Sequence, residues 1–208
     1  MLEEIFKVGL YSVDLNINTN QIKDYLIEYS KQNEGRNYSD TSGGYQSKSL
    51  YNEDIIDTPL EQILPHINLH SKKYNHTVSH KGPIVLDNLW FNINYHRDYN
   101  AEHMHQHALY NGVLYIDVPK DSGEIVFLNP AYDVMQYDWY NDKVKEWTEL
   151  NSHVWVKRPM NGSLYIFPSW LKHKVTVNNN SNPRISIAFN YVSKNIQNID
   201  TIKHDRNL

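Results

Sequence analysis

A mainly β (α+β) fold, built as an antiparallel double sheet with N-terminal helices, is predicted by three observations. From Pro83 onward, short runs of Val, Ile, Tyr, Phe and Trp recur at intervals of roughly ten residues with turn residues between them. Two amphipathic helical patterns precede that region. The 208-residue chain is also β-prone in composition, with 12% aromatic residues and sixteen tyrosines against five phenylalanines.

The elements follow in order. "IFKVGLYSVDL" (Ile5 to Leu15) alternates loosely and reads as a first strand. Ile22, Tyr25, Leu26 and Tyr29 then mark one face of a helix capped by Thr19 or Asn20. "EGRNYSDTSGGYQSKSL" is turn-rich and reads as loop. In "DTPLEQIL", Thr58 as N-cap, Pro59 at the first helical position and Glu61 three residues after the cap make a capping box. Pro65 kinks or restarts that helix, and "HSKKYNHTVSHK" (His70 to Lys81) reads as a solvated loop. The strands are "PIVLDNLWFNINY", "HALYNGVLYIDV", "GEIVFLNP", "HVWVKRP", "GSLYIFPS", "HKVTVN" and "RISIAFNYV", with "NNNSN" (Asn178 to Asn182) as a hairpin tip. No linker or repeat divides the chain, so we expect one domain over 1–208, with 1–82 as helical support and 83–193 as the β core.

Composition narrows the chemistry. There is no cysteine, which excludes disulfides, thiolate zinc sites, iron–sulfur clusters and cysteine nucleophiles, so a metal must be held by His, Asp or Glu. The formal net charge of -4 gives no reason to expect a nucleic-acid partner. An acidic start and the lack of a long apolar run predict neither signal peptide nor membrane span, hence a cytoplasmic location.

Two stretches carry chemistry. "AEHMHQHALYNGVLYI" places His103, His105 and His107 at alternate positions, which in a strand share one face. "GSLYIFPSWLKHKVTVNNNSNPRISIAFN" sets His173 at a strand entry and Arg184, Ser186 and Ala188 on one face of the last strand. If Asn178 to Pro183 is a tight turn, the last two strands pair, and imidazole and guanidinium enter one cavity.

The stretch Trp90 to Asn190 resembles the Fe(II)/2-oxoglutarate-dependent oxygenases, nearest to small single-domain phage and marine-bacterial members and more distantly to prolyl hydroxylases. The matching pieces are "WFNIN", "DYNAEHMHQ" running into "NGVLYIDVP", "SGEIVFLNP", and the segment from Gly162 to Asn190. "SGGYQS" (Ser42 to Ser47) resembles a glycine-rich segment of the same group. The resemblance implies a double-stranded β-helix (jelly roll, cupin-like) with N-terminal supporting helices. It also implies a hydroxylase that uses Fe(II), O2 and 2-oxoglutarate, releases succinate and CO2, and takes ascorbate as reductant. Three ligands on one face of the ion leave positions open for the co-substrate and O2. By this resemblance His103, His105 and His173 are the ligands; Arg184 binds the distal carboxylate of 2-oxoglutarate, with Ser186, Tyr115 and Asn92 around it.

The chain departs from the usual His-x-Asp or His-x-Glu pair. His103/His105 matches a His-x-His element of the phage-type group, His96/Asp98 in "HRD" is a literal His-x-Asp, and His105/His107 is a third candidate. A carboxylate from elsewhere would complete the site in some of these arrangements. His107 also reads as surface or pocket wall, and Trp139, Tyr140 and Trp147 as packing or as a flap. A cupin-type metal protein is the first rival, although Leu109 and Tyr110 stand where a cupin usually carries Glu and Arg184 then has no role. A non-catalytic jelly-roll binding protein is the second. The primary substrate, a protein side chain or a metabolite, is not written in the chain.

Overall fold

Alternation becomes strand wherever both faces have something to cover. The computed structural model describes residues 3–36, 44–50, 52–138 and 144–194. They run in the order β1 (Tyr11–Asp14), α1 (Thr19–Gln32), β2 (Tyr45–Gln46), α2 (Asn52–Ile55), a 3-10 turn (Glu61–Ile63), α3 (Leu64–Thr77), β3 (Ile84–Asn94), β4 (Asn100–His103), β5 (Tyr110–Asp117), β6 (Ile125–Leu128), α4 (Tyr132–Asp138), β7 (Val154–Lys157), β8 (Ser163–Pro168), β9 (His173–Val175) and β10 (Arg184–Ser193). A six-stranded sheet has the order β1-β8-β5-β10-β3-β2, and a four-stranded sheet the order β4-β9-β6-β7. Every pairing in them is antiparallel. The mainly β double sheet with N-terminal helices is therefore what the strand spacing predicts.

The larger sheet has two working faces. Leu89, Phe91 and Ile93 of β3 and Ile185, Ile187 and Phe189 of β10 pack with Ile22 and Leu26 of α1 and Ile67 and Tyr74 of α3. Each such side chain, once buried, contributes about 1.5–3 kcal/mol. The opposite face of the same strands carries Trp90, Asn92, Arg184, Ser186 and Ala188, which line a cavity. A smaller cluster of Tyr115, Tyr165 and Phe167 with Ile125 and Phe127 joins the two sheets. Residues 1–82 supply more than helices, because β1 pairs with β8 and β2 with β3.

Several local expectations change. The first strand spans only Tyr11–Asp14, and Phe6 before it is exposed. Asn18 caps α1, its side chain accepting from Gln21 N, in place of Thr19 or Asn20. The capping around Thr58 serves the 3-10 turn: Leu60 N donates to Thr58 Oγ1 (3.2 Å) and Asp57 N to Glu61 Oε2 (3.3 Å). Pro65 restarts the helix, within the first turn of α3. The run from His70 is not a solvated loop, since α3 continues through Thr77. His70, Ser71 and Tyr74 are its buried face, with Tyr74 donating to Gly9 O (2.9 Å) and Tyr11 meeting His70 Nδ1 (2.8 Å).

The largest correction concerns the end of the chain. β9 and β10 do not pair: β9 lies between β4 and β6, and β10 between β3 and β5 in the other sheet. The segment between them is a crossing rather than a hairpin tip. Buried Asn178 holds it, donating through Nδ2 to Asn94 O and Asn182 O (3.0 Å each) and accepting from Asn180 N (2.9 Å).

Candidate metal centre and co-substrate cavity

Three imidazoles meet at one end of a cavity of about 320 Å³. His103 closes β4 and lies directly opposite His173, the first residue of β9. His105 follows in the loop after β4. Its backbone N–H donates to Ser169 O (3.0 Å), and Ser169 Oγ donates to Ala108 O (2.6 Å), which ties that loop to the one preceding β9. The three rings each offer one nitrogen, and these nitrogens lie within 4.8 Å of one another. His107 does not join them: its left-handed backbone (φ 71°) breaks the alternation and leaves it exposed. The shared face expected of all three histidines thus ends at His105.

The hydrogen bonds set the tautomers. His103 Nδ1 lies 2.7 Å from Ala101 O and His173 Nδ1 2.9 Å from Leu171 O. A carbonyl only accepts, so each Nδ1 carries the proton in the neutral ring and Nε2 keeps its lone pair. Burial, then the neighbouring His103, pushes His105 down to about 4, with the Asn190 side chain acting the other way. His173 is held well below the ordinary imidazole range, by burial first and by His103 next. Both rings are neutral at neutral pH, the form that binds metal. Among the described residues no Asp or Glu lines the cavity. The literal His-x-Asp closes a turn elsewhere, with Asp98 Oδ2 accepting from Tyr95 N (2.7 Å) and His96 Nδ1 donating to Asn180 O (3.2 Å).

Further into the same cavity, Arg184 is 1% exposed. Its Nη1 donates to Ser122 O (2.5 Å) and Thr176 O (3.4 Å), while Nη2 has no partner. Burial lowers the guanidinium from its ordinary value. Ser186 on β10 stands directly opposite Asn92 on β3 and Tyr115 on β5. Asn92 Oδ1 accepts from Gln46 Nε2 (2.8 Å), so part of "SGGYQS" reaches the cavity through β2. The Tyr115 hydroxyl is buried without a partner. Burial pushes it well up and Arg184 acts the other way. An orphaned guanidinium nitrogen and an orphaned hydroxyl in one cavity fit a ligand that carries a carboxylate. Three neutral imidazoles fit a divalent ion.

One residue the motifs did not single out shapes this end. Gly123 has φ +99°, and a Cβ there would stand 2.5 Å from Arg184 Nη1 and press on the Thr176 carbonyl oxygen. Its signal was the glycine of "SGEIVFLNP", which locally reads only as a turn. Trp147 is exposed, edge-on to His153 at 4.9 Å. Trp139, Tyr140, Ser42 and Gly43 lie outside the described residues.

Comparison with known proteins bears on the family and the fold. A family model described as a putative 2OG-Fe(II) oxygenase matches residues 88–190, from β3 to β10. The chain belongs to the 2-oxoglutarate/Fe(II) oxygenase superfamily. Solved structures of this superfamily share the fold. A prolyl-4-hydroxylase from Pseudomonas putida matches with TM-score 0.62 and 13% identity, over 90% of this chain and 94% of that one. SnoN, a non-heme α-ketoglutarate-dependent epimerase of nogalamycin biosynthesis, matches with TM-score 0.62 and 14% identity, over 89% and 79%. HygX from Streptomyces hygroscopicus, with nickel and 2-oxoglutarate bound, matches with TM-score 0.58 and 8% identity, over 90% and 84%. No curated protein sequence matches the chain. Among the described residues no helix is long and apolar enough to cross a membrane.

Proposed function

We propose that the protein is a 2-oxoglutarate- and Fe(II)-dependent dioxygenase that hydroxylates a protein side chain or a metabolite, with His103, His105 and His173 as the iron ligands. The observation that carries this reading is the buried Arg184 with an unpaired Nη2, in the same cavity as three clustered imidazoles. Bound iron supplies the activation of O2, coupled to conversion of 2-oxoglutarate to succinate and CO2, with one oxygen atom passing into a C–H bond of the substrate.

The chain's own residues do the placing. Arg184 pairs with the distal carboxylate, which its planar fork suits. Ser186 and the Tyr115 hydroxyl donate beside it, and Asn92 presents its amide nitrogen because Gln46 holds its oxygen. The carbonyls of Ala101 and Leu171 keep the His103 and His173 rings from turning. The sheets on either side keep water from the reacting carbon. Placement in a cytoplasm, host or bacterial, belongs to the same reading.

The test uses purified protein with Fe(II), ascorbate, O2 and 2-oxoglutarate. Slow succinate release without substrate is expected, together with a rise in Tm on adding 2-oxoglutarate. His173→Ala is expected to abolish both. Arg184→Ala loses a charge-assisted bond of about 1.5–3 kcal/mol, so the KM for 2-oxoglutarate rises roughly 10- to 150-fold. A protein that binds metal but ignores 2-oxoglutarate is a cupin-type metal protein instead. One that responds to neither is a binding jelly roll.

A further inference from the structure

We propose that a row of asparagines on the cavity wall forms a subsite for an uncharged carboxamide group of the primary substrate, an assignment that rests on the oxygenase reading of the cavity. Asn88, Asn190 and Asn111 stand directly opposite one another on β3, β10 and β5. All three line the cavity. Neighbouring strands lie about 4.8 Å apart, so the row spans roughly 10 Å. Asn111 is 1% exposed. Neither its Oδ1 nor its Nδ2 has a hydrogen-bond partner, and Asn88 Oδ1 has none. Buried polar atoms are ordinarily satisfied, so orphans grouped on one cavity wall call for a partner from outside the chain.

Their place separates them from the co-substrate. Six positions along β10, roughly 20 Å at about 3.3 Å each, lie between Arg184 and Asn190. A short diacid anchored on Arg184 stops before the asparagines. Asn190 lies beside His105, so the row borders the imidazole cluster, where the carbon to be oxidised has to sit.

The atoms select the ligand. Asn111 offers a donor and an acceptor side by side, and Asn88 adds an acceptor. A carboxylate satisfies Asn111 Nδ2 but turns its own oxygens against two carboxamide oxygens. An ammonium satisfies those oxygens but shares the cavity with Arg184, and among the described residues no acidic side chain in the lining offsets it. A neutral group with adjacent N–H and C=O satisfies both orphaned atoms of Asn111, and the oxygens of Asn88 and Asn190, also without partners, are left to take further N–H donors.

The experiment records side-chain amide resonances of ¹⁵N-labelled protein during titration with propanamide, propionate and propylammonium, three probes of matched size. Propanamide is expected to shift the Asn111 resonances saturably and the other two to leave them in place. Asn111→Asp and Asn111→Leu are expected to weaken propanamide by about tenfold for each hydrogen bond lost. If a variant does not fold, the wild-type titration decides alone. Equal binding of propionate or propylammonium, or propanamide binding that leaves Asn111 unmoved, overturns the proposal. The Tm response to Fe(II) and 2-oxoglutarate in the same preparation keeps the two readings apart. A protein that binds propanamide but ignores 2-oxoglutarate keeps the subsite and loses the oxygenase reading. One that answers to 2-oxoglutarate and ignores propanamide loses only the subsite.

Discussion

Gly123→Ala should damage co-substrate binding from a position that touches the co-substrate through nothing but Arg184. The glycine has φ +99°, which an alanine tolerates at a strain of about 1–3 kcal/mol. The added methyl also stands 2.5 Å from Arg184 Nη1. Relief requires the Thr176 carbonyl, which the methyl meets more closely still, to shift, and the guanidinium to move off Ser122 O, a bond of 2.5 Å to a charged donor worth about 1.5–3 kcal/mol. Together the loss is about 2.5–6 kcal/mol, and at roughly 2–4 °C per kcal/mol for a chain of this size Tm should fall by about 5–24 °C. A guanidinium aimed away from the cavity should also weaken 2-oxoglutarate by tenfold or more. Gly82→Ala is the control, because Gly82 has φ +96° but nothing within 4 Å of an added Cβ. It carries the backbone strain alone and should leave 2-oxoglutarate binding unchanged. The assay is thermal unfolding and calorimetric titration of both variants at neutral pH. If Gly123→Ala keeps wild-type affinity, or if both variants lose affinity equally, the steric link to Arg184 is refuted.

Two further outcomes follow from buried polar groups. Asn178→Ala removes three hydrogen bonds from a fully buried side chain at the crossing between β9 and β10. Denaturant unfolding should show a loss of about 2–4 kcal/mol, and a change within 0.5 kcal/mol would contradict the crossing's role. Burial pushes Tyr191 up to about 12 and raises Tyr74 as well. Their folded values exceed the unfolded value of about 10, so the stability they hold is fully present below that pH and is lost as pH rises toward 12. Tyr191 alone accounts for on the order of 3 kcal/mol. Phenolate absorbance should show a tyrosine class that ionises only with alkaline unfolding, and Tyr191→Phe should remove part of the pH dependence.

What was legible in the sequence was whatever short-range pattern determines. Alternation in "RISIAFN" put Arg184 and Ser186 on one face before any coordinates, and the family resemblance, not alternation, added Asn92 of "WFNIN" to them. His103 and His105 likewise share a face through alternation. What lay hidden depends on partners far along the chain. Whether "HKVTV" pairs with "RISIAF" turns on Asn178 reaching Asn94, a contact across 84 positions. The polar run after His70 reads as solvated until Tyr11 and Gly9 come to cover it. His107 leaves the row through one left-handed residue. Gly123 and Asn111 carry no local signal, since a turn glycine and a strand asparagine gain their meaning from Arg184 and from the cavity.

The central claim is that three imidazoles hold a divalent ion while Arg184 holds the far end of 2-oxoglutarate. Anomalous scattering at the iron edge, from crystals grown without O2 in Fe(II) and 2-oxoglutarate, tests it directly. The account predicts a single strong peak bonded to His103, His105 and His173, with a 2-oxoglutarate carboxylate on Arg184 Nη2. A peak on His96 and Asp98, or an ion at the three histidines with the diacid bound away from Arg184, would contradict it.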